Sequence, residues 1–253
     1  RAAAPGVATA SGAGVVTGVA IGSAAIVATS EGKSGQATVS VSVVPSELAF
    51  TVAPGSVTAG VAFSPALQVT ARDAVGNTAT AFAGNVTIAI GTNPGGGTVS
   101  GTTTVAAVAG VATFSTLSID RSGAGYDLNA TATGFTDATS TGFNIASSTA
   151  TQLVFTVQPT NPTAGATIMP AVQVTARDAQ GNTATSFTGN VTVGIGTNPG
   201  AGTLSGTTTV AAAAGIATFS TLSIDKNGTG YTLTAAAAGL GATTSAAFTI
   251  NPG

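Results

Sequence analysis

Apolar side chains recur at every second position through most of this chain. In "ELAFTVA" Leu48, Phe50 and Val52 share one parity; in "ALQVTARD" Leu67, Val69 and Ala71 do; in "NVTIAIG" Val86, Ile88 and Ile90 do. "GYDLNATA" adds Tyr126, Leu128 and Ala130, "STGFNIA" adds Phe143 and Ile145, and "TTTVAAV" at 102–108 is a weaker instance. A period of two sends neighbouring side chains to opposite faces, so each stretch predicts a strand with one buried face. In "GVATFSTLSID" Ala112 and Phe114 have one parity, and Leu117 and Ile119 the other. That switch predicts a bulge or kink near Ser115–Thr116. Helical spacing with caps appears nowhere, so the expected class is all-β.

Shifted by 105 residues, the sequence lies on itself without a gap: Leu48 falls on Leu153, Arg72 on Arg177, Asp120 on Asp225, Tyr126 on Tyr231 and Phe143 on Phe248. This period is too long for a solenoid turn and suits a small domain. The expected organisation is therefore two copies, 48–148 and 153–253, preceded by a different segment at 1–44. About seven short strands in about a hundred residues predict tandem antiparallel β-sandwiches of immunoglobulin type. Tyr126 and Tyr231 are the only tyrosines, each in D-x-x-G-x-G-Y-x-L. A tyrosine opening the sixth strand after a tight turn predicts a tyrosine corner, its ring in the core edge and its hydroxyl on nearby backbone. The linkers "PSE" (45–47) and "ASSTAT" (146–151) are short, and Pro45 stiffens the first. End-to-end stacking follows; with strands of about ten residues, two and a half domains make a rod of roughly 100 Å.

Composition narrows the chemistry. Only 6% of the 253 residues are charged, the net charge is −2, and six Lys and Arg are spread along the chain. A phosphate backbone needs clustered cations, so nucleic acid is not an expected partner. No uninterrupted apolar run is long enough for a membrane-spanning helix, so no membrane insertion is expected. Residues 1–28 begin like a leader, but Gly12, Gly14, Thr17, Gly18 and Gly22 break the apolar run, and the strand reading is preferred. Cysteine and histidine are absent, which removes disulfides, thiolate metal sites and the commonest general base. The Thr/Ser-rich, charge-poor make-up suggests an extracellular setting and weak self-repulsion.

The sharpest polar feature is "QVTARDAVGNTAT" (68–80), repeated as "QVTARDAQGNTAT" (173–185). The structural reading makes Asp73 and Asp178 turn residues accepting backbone N–H groups, with Gly76 supplying a positive φ and Asn77 tolerating the next position. Arg72 faces out, with Asp120 as its expected carboxylate partner. The functional reading is calcium, held by Asp73, Asn77 and Asp120 in one copy and by Asp178, Asn182 and Asp225 in the other. Calcium wants six to eight oxygens with several carboxylates, and "ASSTAT" supplies none, so no metal or cofactor is assigned. Asp127 and Asp137 have no acidic counterparts at Thr232 and Ala242, so no catalytic pair is assigned either, and no enzyme is expected. Lys226 sits beside a turn, a poor place for a lysine crosslink. "GTNPGGG" (91–97) and "GTNPGAG" (196–202) lie between strands, not before a helix, and read as hairpin loops. Threonine-rich strands read as solvated sheet faces.

"VQVTARDAQGNTATSFTGNVTV" (172–193), "GIATFSTLSID" and "GTGYTLTA" resemble the bacterial immunoglobulin-like repeats of surface and secreted proteins, related to the group in invasin and intimin stalks. "GVATASGAGVVTGVAIGSAAIVATSEGKSGQATVSV" resembles the second half of a group 2 bacterial immunoglobulin-like domain, through Val16-Thr17-Gly18, Gly22, Ile26, Ala28, Gly32 and a closing strand at 37–43. The first half of that domain does not precede it here. A half-sandwich bares an edge and an apolar face, to be covered by further chain upstream or by strands of another molecule. The resemblance implies a bacterial cell-surface or extracellular location and a mechanical role: a stalk or filament-forming segment whose partners are copies of itself or like domains. The competing expectation is an adhesin-type module that recognises a glycan or surface receptor through its loops.

Overall fold

The computed structural model describes residues 2–42 and 44–253. Arg1, the start of the leader-like run, and Val43, the end of the expected closing strand, lie outside the described residues. All regular structure among the described residues is β.

In the first copy one sheet runs in the order Thr104–Ala106, Asn85–Ile90, Leu128–Thr131, Ala138–Thr139, and a second in the order Val111–Phe114, Leu67–Arg72, Glu47–Val52. Side chains of these sheets and of the shorter strands and loops around them form one apolar cluster running from Leu48 to Ile145, with Leu67, Val69, Val86, Leu117, Ile119 and Leu128 at 0% exposure. Each such side chain contributes about 1.5–3 kcal/mol on burial. The second copy buries the equivalent cluster from Leu153 to Ile250. There Gly239 (φ 79°) turns the chain tightly enough for Leu240–Thr244 to pair with Leu233–Ala237 and touch Gln152, so the strands join into one seven-stranded sheet folded over on itself.

The parity switch is real. Val111–Phe114 pairs with Leu67–Arg72, the strand breaks, and Ser118–Ile119 pairs with Val99–Ser100, so Phe114, Leu117 and Ile119 all reach the core. Two details differ from expectation. The longest strands of the copies have six residues, not about ten. Pairing is also not purely antiparallel, because Phe143–Ala146 runs parallel to Val57–Thr58. The threonines earn their β positions by cross-strand pairing: Thr51 with Thr70 (2.8 Å), Thr87 with Thr104 (3.0 Å), Thr156 with Thr175 (2.8 Å) and Thr192 with Thr209 (2.9 Å) bond hydroxyl to hydroxyl.

The N-terminal segment is a long hairpin, Gly22–Ser30 against Lys33–Val41, closed by Glu31 and Gly32 at positive φ, plus a small pair, Ala8–Ala10 with Val16–Gly18. Of its described apolar residues only Ala8 and Ala24 are buried, while Val15, Val19 and Ile21 are 61%, 59% and 53% exposed. The small pair meets the hairpin through Val41 against Gly18 and Val7 against Gly22, and leaves Val15, Val19 and Ile21 open to solvent.

Candidate functional site

The repeated Asp-x-x-Gly-Asn segment folds as the sequence requires. Asp73 Oδ1 accepts the N–H groups of Val75 (3.1 Å) and Asn77 (2.8 Å), and Oδ2 accepts the Asn77 side-chain amide (2.9 Å). Asp178 repeats this with Gln180 (3.0 Å), Asn182 N–H (2.8 Å) and the Asn182 amide (3.1 Å). Gly76 and Gly181 alone take the positive φ, at 90° and 82°. Asn77 and Asn182 are thus kept for their amides, not for a left-handed backbone.

The two turns meet different surroundings. Asp178 is 0% exposed and Asn182 6%, whereas Asn77 is exposed and Val75 is 82% exposed. What covers the second turn is the end of the first copy. Asn182 donates its amide to the Asp120 carbonyl (2.9 Å) and accepts the Ser122 N–H (3.1 Å). The Ser148 N–H donates to Asp178 Oδ2 (2.9 Å), Arg121 Nη1 donates to the Gln180 carbonyl (3.3 Å), and Thr185 N–H donates to Ser147 Oγ (3.2 Å). Close approach matters as well: a Cβ on Gly60 would lie 2.9 Å from the Gln180 amide. Burial pushes the Asp178 carboxyl up, but the donors from Ser148, Asn182 and Gln180 outweigh it and hold the group below its ordinary value. Asp73 is also lowered, first by the Asn77 amide.

The receiving loop, 120–122, is held from inside its own sandwich. Tyr126, fully buried, donates its hydroxyl to the Arg121 carbonyl (3.0 Å), and Tyr231 does the same to Lys226 (3.0 Å), which is the expected tyrosine corner. Burial pushes the Tyr126 phenol up, so it stays a neutral donor. Asp120 Oδ1 accepts the Thr98 N–H (2.6 Å) and Asp225 Oδ1 the Thr203 N–H (2.6 Å). The Gly-rich loops close over this corner: a Cβ on Gly95 would strike the Tyr126 hydroxyl and the Ser122 carbonyl, and one on Gly200 the Tyr231 hydroxyl and the Asn227 carbonyl. These loops are therefore lids on the corner, braced by Asn93 and Asn198, which bond across to Gly97 and Gly202.

The six residues considered for calcium are thus placed as follows. Asp73 and Asn77 satisfy each other within one turn, Asp178 and Asn182 within the other, and the Asp120 and Asp225 carboxylates point to Thr98 and Thr203. The structure does bring Asp120, Asp178 and Asn182 to one junction, but Asp120 contributes its main-chain carbonyl. No group of three or more acids among the described residues is arranged to hold a metal. Arg72 does not pair as expected: Asp120 is engaged with Thr98, and the Nε atoms of Arg72 and Arg177 are buried without a hydrogen-bond partner. Asp127 accepts the Thr92 N–H (2.9 Å), a task done in the second copy by the Thr232 hydroxyl toward Thr197 (2.8 Å). The Thr92 contacts lower the Asp127 carboxyl. A hydroxyl filling the same place identifies Asp127 as a loop acceptor. Sequence reasoning missed Arg121, Ser122, Ser147 and Ser148. Residue identity gave no signal for the serines, because Ser122 and Ser148 act through main-chain N–H groups and Ser147 has the same residue, Ser42, as its counterpart.

The first junction is built differently. Gly18, Val19, Ala20 and Ile21 face Asp73 and Asn77 across a cavity of about 460 Å³. A second cavity of about 520 Å³ lies among Ile21, Val41, Pro45, Ala79 and Phe82. The second junction keeps a smaller one, about 310 Å³, beside Thr185.

No protein-family model matches the chain, and no curated protein matches it. Among solved structures the chain is similar to the Escherichia coli adhesin FdeC, at 18% identity and a TM-score of 0.41, over 92% of this chain and 74% of that one. It is similar to domains 4–9 of the surface layer protein SbsC, at 20% identity and a TM-score of 0.31, over 99% of this chain and 38% of that one. It is also similar to a glycosyl hydrolase family 2 member from Bacteroides cellulosilyticus, at 14% identity and a TM-score of 0.34, over 51% of this chain and 18% of that one. The chain thus spans well under half the length of the last two. Likenesses this weak, spread over an adhesin, a surface layer and an enzyme, decide nothing about activity.

Proposed function

We propose that the chain is a non-enzymatic structural segment of a bacterial surface or secreted protein. In this reading 48–148 and 153–253 are two immunoglobulin-like sandwich domains held end to end as a stiff spacer, and 1–44 is part of a further such domain. The observation that carries it is the junction at Asp178–Asn182, where one copy's turn is buried in the other copy's end by hydrogen bonds from four residues. Each bond is worth about 0.5–1.5 kcal/mol net. Because the linker is short, docking is intramolecular at an effective concentration of the order of millimolar, so a few such bonds keep the copies together. The chemistry elsewhere supports spacing over recognition, since the Gly-rich loops are committed to the tyrosine corners. Strand addition along Lys33–Val41 is the proposed cover for the bare face of the N-terminal segment and the proposed route to self-association.

Measuring ¹⁵N relaxation on the full chain tests this directly. The spacer reading expects the two copies to share one rotational diffusion tensor. Independent tumbling of the two would overturn it. A glycan array showing reproducible binding lost on trimming 93–97 or 198–202 would favour recognition through loops instead.

A further inference from the structure

We propose that the loop Asp225–Lys226–Asn227 is a docking site for an Asp-x-x-Gly-Asn turn of a following repeat on the same chain, so that the one polar junction described above is a module that propagates along a row of repeats. The inference rests on the spacer reading and adds to it a specific surface and a specific occupant.

The argument starts from which atoms make the existing junction. On the receiving side the two atoms that bond Asn182 are main-chain ones, the Asp120 carbonyl and the Ser122 N–H. A socket made of main chain is defined by the path of its loop, and side chains on that loop are free to vary. The path is set three times over in the first copy, and each device recurs in the second. The tyrosine hydroxyl holds the middle carbonyl at 3.0 Å in both, on Arg121 and on Lys226. The aspartate clamps the neighbouring strand at 2.6 Å in both, on Thr98 and on Thr203. A glycine, Gly95 or Gly200, admits the loop at a distance no Cβ would allow. Ser122 becomes Asn227, which leaves the N–H donor in place. Arg121, whose guanidinium reaches across to Gln180, becomes Lys226, which keeps a cationic donor at that point. Asp225, Lys226 and Asn227 are all exposed.

The occupant follows from the same chemistry. The socket offers one carbonyl and one N–H side by side with a cation beyond them. A primary amide, which donates and accepts at once, fits the pair, and a turn carbonyl fits the cation. The Asp-Ala-Gln-Gly-Asn turn presents that set, and its own aspartate pre-orders the amide. The match is not complete: Ser147 corresponds to Pro252, so the hydroxyl that bonds Thr185 is not reproduced. The new junction is therefore weaker than the existing one.

The test lengthens the full chain by a second copy of 149–253 placed directly after Gly253, which keeps the 105-residue register. Amide hydrogen exchange is then read at Asn227 and, as the internal standard, at Ser122. Docking slows exchange at Asn227 by about tenfold, the scale of one protected hydrogen bond. Changing the added copy's counterpart of Asn182 to Ala returns Asn227 to its rate in the unextended chain. An Asn227 rate unaltered by the extension, or slowed but indifferent to that Ala, overturns the proposal while Ser122 stays protected. Loss of protection at Ser122 itself would instead overturn the spacer reading on which it stands.

Discussion

Two turns of nearly identical sequence, Asp73–Asn77 and Asp178–Asn182, have the same internal hydrogen bonds and opposite environments. The first is open, with Val75 82% exposed; the second is shut, with Asp178 at 0%. The difference lies in what precedes each turn in the chain. Ahead of the second stands a complete sandwich whose end loop offers a carbonyl, an N–H and an arginine. Ahead of the first stand the N-terminal strand pairs, whose Gly18–Ile21 stretch and Ser42 are set off from Asp73 and Asn77 by a cavity of about 460 Å³. A local motif thus acquires a joining role only where the neighbouring surface brings matching donors and acceptors within hydrogen-bond reach.

Removing the carboxylate breaks this comparison most strongly. Asp178→Ala strands four N–H donors, the two on Asn182 buried, and is expected to cost about 2–3 kcal/mol, read as lost exchange protection at Ser148, Gln180 and Asn182. Asp73→Ala is expected to cost less, since water reaches the donors it frees. Next, Asn182→Ala should cost about 1–2 kcal/mol and release both copies to tumble separately, whereas Asn77→Ala should affect only its own turn. Tyr126→Phe and Tyr231→Phe should each cost about 1 kcal/mol in denaturant melts. Only Tyr126→Phe should also raise exchange at Ser122, because it alone anchors an occupied socket. Equal junction effects from both tyrosines would refute that distinction.

Acid sharpens the comparison further. Both carboxyls have folded values below the ordinary one of about 3.9. Their stabilisation is therefore present above that value and lost as the pH falls through the lowered one. Lowering the pH from 6 to below about 4 should weaken protection at Ser148, with Asp178→Asn insensitive over the same range. The smallest effect is expected from Gln180→Val, which copies the first turn's residue: the carbonyl that Arg121 meets is unchanged, and stability should shift by within about 0.5 kcal/mol.

Much of the fold was legible beforehand for a physical reason. A strand with one buried face must alternate, so Leu67, Val69 and Ala71 announce their own direction, and the parity break between Phe114 and Leu117 announces the kink. The tyrosine corner was legible because Tyr126 and Tyr231 sit in a fixed spacing of glycines. The internal bonds of the Asp turns were legible because they join residues two and four apart. The partner of Arg72 was misjudged: alternation sets Arg72 opposite buried Ala71, but Asp120 is engaged with Thr98 and the Arg72 Nε has no hydrogen-bond partner. Asp127 gave an acid where its counterpart is a threonine, and only the shared contact to the 92 and 197 backbone explains both.

By itself the sequence determined the class, the repeat, the strand directions and the turns, because each follows from periodicity or from bonds between near neighbours. Only the tertiary structure decided that the second Asp-Gly-Asn turn is a joint and the first is not. That outcome depends on main-chain atoms of Asp120 and Ser122, some sixty residues away, whose availability is set by how a loop is held and leaves no mark on the identity of the residues that use it.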